Sequence, residues 1–175
     1  MTARRRVLEL GALVALAAAL HGPRLAHPFV TDDAIYIVEN PAVNQGAPLP
    51  AYFTDRATVA SNPDFQWQSY RPLRTLAFRA VVKLGGLRPM AFGLANLVLY
   101  LGGALLGLAL ARRLGLGDGA LWGAALWIAA PVHVEPVLYA SALGDHLSLV
   151  LELGGLWLAL DTIEGRSWAR FLAGW

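Results

Sequence analysis

Asp32 and Asp33 stand side by side in Phe29-Val30-Thr31-Asp32-Asp33-Ala34-Ile35-Tyr36-Ile37-Val38-Glu39-Asn40-Pro41, shortly after the first apolar run. Adjacent carboxylates repel, and a nearby low-dielectric phase raises that cost. An apolar chain has little reason to hold such a pair at a membrane surface unless it does chemistry there. A carboxylate at the water–lipid boundary can act as a base toward a substrate carried on a lipid. The same residues admit a second reading. Thr31 or Asp32 can cap a helix that runs through Ile35 and Val38 until Asn40-Pro41 stops it. One carboxylate can cap a helix and also face a site.

Further polar groups interrupt apolar sequence at Pro131-Val132-His133-Val134-Glu135 and at Asp145-His146. On a helix His133 and Glu135 point about 200° apart, whereas on an extended segment they share a face. Pro131 and Pro136 favour irregular backbone there. An ionisable residue near membrane depth is a functional candidate by default; the competing reading is a polar pair at a helix end. Glu135 and Asp145 offer hard oxygen ligands to a divalent metal, but their spacing matches no strong metal motif, and a solvated loop is the preferred reading. Arg71 and Arg74 open an amphipathic stretch. Arg71 can clamp a phosphate with its guanidinium fork or attract anionic lipid head groups. Glu9 and Glu152 lie inside apolar runs, where an acid is protonated or paired; the sequence assigns neither a role. The tryptophans, Trp67, Trp122, Trp127, Trp157, Trp168 and Trp175, read mostly as interface or packing aromatics.

The elements that must position these groups are membrane helices. Of 175 residues, 57% are hydrophobic and only 15% charged, with mean hydropathy +0.50. That composition describes an all-α polytopic membrane protein with about four transmembrane helices, a long first outer loop and interfacial amphipathic helices. A net charge of +2 argues against nucleic-acid binding, and the absence of cysteine excludes disulfides and thiolate metal sites. The expected spans are about 7–20, 90–111, 119–134 and 147–160, with the outer loop at 21–89. The first follows Arg4-Arg5-Arg6 and also resembles a secretory signal with Ala17-Ala18-Ala19 as cleavage site; a retained helix is preferred because more spans follow. Gly103 and Gly107 give the second span a small-residue face for close packing. The third and fourth are short for a hydrocarbon core of roughly 30 Å. Turn signals at Asn40-Pro41, Pro48, Pro50 and Asn62-Pro63 fill the loop, which is long enough to be functional rather than a passive link. From Tyr70-Arg71-Pro72 to Gly85-Gly86 the apolar residues Leu73, Leu76, Ala77, Ala80, Val81 and Leu84 fall on one side, which suggests a helix lying in the interface.

Orientation follows from the basic residues. With four spans, Arg4–Arg6, Arg112-Arg113, Arg166 and Arg170 fall on one side, which the positive-inside rule makes cytoplasmic. Arg24, Arg56, Arg71, Arg74, Arg79, Lys83 and Arg88 lie in a loop long enough to escape that rule. The N-terminus is therefore expected in the cytoplasm. The Asp32 loop and the Pro131–Asp145 turn share the outer face, within reach of one another.

At these residues the chain resembles a known family. An acidic pair after the first helix and an Asn-Pro come first. Tyr70-Arg71-Pro72-Leu73, then Asn96 in the second span, then Pro131-Val132-His133-Val134-Glu135 follow in order. This is similar to the N-terminal part of the GT-C membrane glycosyltransferases, most closely the O-mannosyltransferase-like branch that carries tetratricopeptide repeats. The resemblance implies a multi-span enzyme that takes a sugar, with mannose as a candidate, from a polyprenyl-phosphate carrier. The sugar passes to a protein or other hydroxyl acceptor on the outer face, usually with inversion. It also implies membrane lipid, carrier and acceptor as partners, Asp32 as base with Asp33 as alternate, and Arg71, Asn96, His133 and Glu135 about the substrate. The chain departs from the family pattern. Ala130 stands for a His, Leu143 for an Arg that faces the lipid phosphate, and Gly93 and Tyr100 for two His. Far fewer spans are present than in the family, so the chain is expected to be an N-terminal portion. The competing class is a non-catalytic or degenerate subunit that assembles with partner helices.

Overall fold

Thr2 starts the first apolar helix by accepting the N–H of Arg5, and α1 then runs over Ala3–His21. The computed structural model describes residues 2–67 and 70–164. The loop that follows holds a π-helical turn at Ala34–Val38 and three single-turn helices, α2 (Pro41–Asn44), α3 (Ala51–Thr54) and α4 (Pro63–Gln66). Asn40 and Asn62 cap α2 and α4, each with Pro at the first helical position, where a missing N–H costs nothing. Then come α5 (Pro72–Gly85), α6 (Pro89–Arg113), α7 (Gly119–Ala129), α8 (Val134–Leu138) and α9 (Leu143–Ile163). Among the described residues there is no strand, and the protein is an all-α polytopic membrane protein.

Three stretches, Ala3–Arg24, Pro89–Arg113 and Ala140–Ile163, are long and apolar enough to cross a membrane. These helices run past the limits drawn from hydropathy because their polar ends find partners. Glu9 is buried between Arg5 and Arg112, and Arg5 also meets Asp118 at 2.6 Å. Arg113 reaches Asp161 and Glu164, each at 2.9 Å. The N-terminal end of α1 and the C-terminal ends of α6 and α9 are thus bolted together at one end of the bundle. Glu152 is exposed near the middle of α9. Arg166, Trp168, Arg170 and Trp175 lie outside the described residues.

The 119–134 stretch is not a straight span. Its helix stops at Ala129, and the Pro131–Leu138 segment departs from it at 54°. Eleven residues of helix rise only about 16 Å, half a bilayer, and Pro131 forces extended backbone on Ala130 (ψ 124°). The carbonyls this break frees need donors in an apolar setting. Two polar side chains of α6 donate to carbonyls at the ends of α7 and α8. Tyr100 Oη lies 3.2 Å from the carbonyls of Trp127 and Ile128. Asn96 donates Nδ2 to the carbonyls of Val137 and Tyr139, at 3.4 and 2.6 Å.

α6 is the hub, with α1, α5, α7, α8 and α9 packed around it. One core joins α1, α6 and α7 through Leu13, Ala17, Leu97, Tyr100, Ala124 and Ile128. A second lies under the loop, where Tyr36, Ile37, Val43 and Val59 meet Phe78 of α5 and Phe92 of α6. Gly93 makes the closest approach: a Cβ there would lie 2.3 Å from the carbonyl oxygen of Leu25. Backbone faces backbone, so neither side can yield by a rotamer change. Gly93→Ala is expected to lower stability by about 3 kcal/mol or more, read as an earlier midpoint when the protein is unfolded in mixed micelles.

α5 buries a mixed face and leaves part of its apolar side exposed. Arg74, Thr75 and Phe78 are buried, while Leu73 and Leu84 are exposed. Arg79 fixes the loop to this helix by donating to the carbonyls of Val43 and Asn44, each at 3.1 Å. The loop is therefore a packed layer over one end of the bundle.

Candidate functional site

The loop layer and the broken segment enclose a cavity of about 640 Å³ at the end opposite the Arg–Glu bolts. Asp32, Arg71, Arg74, Glu135 and Asp145 line it, with Tyr36 and Tyr139. Three stretches far apart in sequence thus bring their ionisable groups to one chamber. Each arrives there for a local reason.

Asp32 and Asp33 sit on a tight turn where Thr31 takes φ +45°. A β-branched residue in the left-handed region is strained, and this one lines the cavity. The turn sends the two carboxylates different ways. Asp32 is exposed to the chamber. Asp33 is 1% exposed. Its Oδ2 accepts the N–H of Val30 at 3.1 Å, and its Oδ1 accepts the N–H of Ser141 at 2.8 Å. Asp33 therefore ties the first loop to the turn just before α9, with both oxygens engaged. Thr31→Gly is expected to relieve the turn by a net 0.5 kcal/mol or about that, strain relief exceeding the entropy of glycine. A slightly higher unfolding midpoint would show it.

Glu135 and His133 part company as helical geometry requires. Glu135, in the first turn of α8, is exposed to the chamber. His133 turns inward, its ring 4.4 Å from Trp127 and 5.5 Å from Tyr100. Asp145 and His146 divide likewise. Asp145 faces the chamber and pairs with Arg71 at 3.2 Å, an exposed contact of modest strength. His146 is buried with its ring 5.6 Å from that of Tyr100. Asn96 is fully buried and holds the back of the α8 segment rather than lining the cavity. The structure thus gathers Asp32, Arg71, Glu135 and Asp145, and sets Asp33, Asn96 and His133 behind them. Among the described residues, no group of three or more His, Asp or Glu side chains is placed to hold a metal ion.

Sequence reasoning passed over Arg74. Its guanidinium lies over the Tyr36 ring at 4.3 Å, and its stem rests on Gly144, where a Cβ would come within 2.7 Å. Burial, with the nearby charge of Arg71 acting in the same sense, pushes it below the usual arginine pKa. The available signal was the spacing of Arg71 and Arg74, three apart on one helix and so on neighbouring positions.

No protein-family model and no solved structure matches the chain. The chain is similar to the protein O-mannosyl-transferase TMTC3 of Mus musculus, 29% identical over 146 residues, 83% of this chain and 16% of that protein. It is 33% identical over 150 residues to the protein O-mannosyl-transferase TMTC1 of Mus musculus, 81% of this chain and 16% of that one. With the human TMTC1 it shares 39% over 94 residues, 51% of this chain and 10% of that protein. These similarities relate the chain to the TMTC proteins, of whose length it spans about one sixth.

Proposed function

We propose that this chain is the N-terminal portion, residues 1–175, of a GT-C-type transmembrane domain. It moves a sugar, with mannose the first candidate, from a polyprenyl-phosphate carrier to a hydroxyl acceptor such as a protein side chain. One observation carries the reading: Asp32, Arg71, Glu135 and Asp145 line a single cavity at one end of a membrane bundle. The names of the relatives agree with it. The cavity end is the outer face in this reading, with the bolted end and the N-terminus in the cytoplasm.

Asp32 is the base. As the acceptor oxygen attacks the anomeric carbon, the bond from that carbon to the carrier phosphate breaks. The phosphate leaves with the electron pair, already ionised, and the acceptor proton passes to Asp32. No general acid is needed for that leaving group, so the two-carboxylate pattern of glycosidases need not apply. Asp33 holds the turn that aims Asp32. Arg71 stands at the cationic wall toward the phosphate, and Glu135 offers an acceptor for sugar or acceptor hydroxyls. Asn96 and His133 support the α8 wall from behind.

The test is sugar transfer in membranes, with labelled polyprenyl-phosphate mannose and a mixed acceptor pool. Transfer by the wild type that disappears in Asp32→Asn supports the assignment, and equal transfer removes Asp32 from it. A second reading, a non-catalytic subunit assembled with partner helices, is favoured by the exposure of Glu152 near the middle of α9, where an acid asks for a partner. A well-folded wild type that transfers nothing would favour that reading.

A further inference from the structure

Among the described residues, every carboxylate in the long spans but one is answered by an arginine. Glu9 meets Arg5 and Arg112, Asp145 meets Arg71, and Asp161 meets Arg113. The exception is Glu152, whose carboxylate makes no ion pair among the described residues. It stands near the middle of α9 (Leu143–Ile163) and is exposed. At 1.5 Å per residue it lies about 15 Å from either end of the helix, the depth of the bilayer centre. A glutamate stem is too short to reach water from there, and an acid at that depth is expensive unless it is paired.

The face around Glu152 is shaped for another helix. Ser148, Glu152, Gly155 and Ala159 are spaced by four, three and four, which places them in one stripe of the kind that lines a helix pair. All four are exposed. Leu143, His146 and Asp161, which α9 buries, fall on the opposite side. A Cβ added at Gly155 would meet nothing within 4 Å, so no contact within the chain requires a glycine there. Small residues let a second backbone approach closely, and a polar group among them then bonds across the pair.

The charge selects the occupant. Lipid tails offer a carboxylate no donor. A second copy of the chain offers no suitable cation, because the three spans carry Lys and Arg only near their ends. We propose that the free face of α9 docks a transmembrane helix that carries a basic residue at mid-depth, with Glu152 as its counter-ion and Gly155 and Ala159 at the closest approach. This goes beyond both readings of function above, since such a helix fits an enzyme and a subunit alike.

The test is energy transfer in phosphatidylcholine vesicles between the labelled chain and single-span probe peptides of Leu and Ala. One probe has Arg at its centre, one has Leu there, and one has the Arg near its end. The central-Arg helix is expected to bind about tenfold or more tightly than the other two, the scale of one charged hydrogen-bonding contact. Glu152→Leu should abolish that preference without lowering the unfolding midpoint, because the carboxylate holds nothing within the chain. Gly155→Ile leaves the charge in place and should weaken central-Arg binding by crowding the approach. Equal binding of the central-Arg and all-apolar helices by the wild type, or a preference that survives Glu152→Leu, would overturn the docking face. An end-Arg helix that binds as tightly as the central one would move the attraction to the head groups and overturn the mid-depth pair. Unweakened binding by Gly155→Ile would overturn the close approach. Transfer between copies of the wild-type chain that is lost in Glu152→Leu would give the face to a second copy and overturn the basic partner. None of these outcomes bears on whether the chain moves a sugar, so the two readings fail separately.

Discussion

Asp32→Asn is expected to cut sugar transfer by roughly a hundred- to ten-thousand-fold, the range for loss of a positioned general base. The amide is isosteric and Asp32 is exposed to the chamber, so neither packing nor a buried hydrogen bond is lost. Stability and carrier binding should be unchanged. The measurement is single-turnover transfer at saturating donor, beside an unfolding midpoint for each protein. A fall in transfer with both proteins equally stable ascribes the loss to the proton transfer. A fall of less than about tenfold would leave Asp32 as a polar wall residue only.

Replacing its neighbour should fail in another way. Asp33→Ala removes two charge-assisted hydrogen bonds, to the N–H groups of Val30 and Ser141, and leaves both donors unpaired. Bonds to charged groups are worth about 1.5–3 kcal/mol each, so a loss of about 3–6 kcal/mol follows. Transfer falls as well, because the turn that aims Asp32 is no longer tied to the turn before α9. Asp33→Asn keeps one acceptor oxygen and should lose about half as much. An unfolding series in mixed micelles reads all three proteins. An alanine variant as stable as the wild type would show that the tie between the two loops contributes nothing.

How far the sequence revealed this arrangement depends on the residue. That the acidic loop and the Glu135–Asp145 region share one end followed from the parity of the spans and the side of Arg112-Arg113, and the Glu9–Arg112 and Arg113–Asp161 contacts place the basic ends together. The opposite directions of His133 and Glu135 were one of two geometric options, and the helical one holds. Pro131 already marked a break, but nothing local shows that Tyr100 and Asn96 serve the broken ends, because their partners lie 27 to 43 residues away. Arg74 was hidden for the same reason. Hydropathy puts an arginine on the wet side of an interfacial helix, and only the tertiary contact with Tyr36 and Gly144 buries it. The split between Asp32 and Asp33 depends on a left-handed Thr31, a conformation that residue type argues against.

The bolt around Glu9 imposes an order on biosynthesis. Arg112 follows Glu9 by 103 positions, so α1 enters the translocon long before the partner that completes its burial exists. In that interval Arg5, one turn away, is the only cation of the finished bolt at hand. The contact that completes the burial of Glu9 is available only once α6 has been made. Asp118 then finds Arg5, and Asp161 finds Arg113. In each of these pairs the later segment supplies the partner that an earlier one lacks.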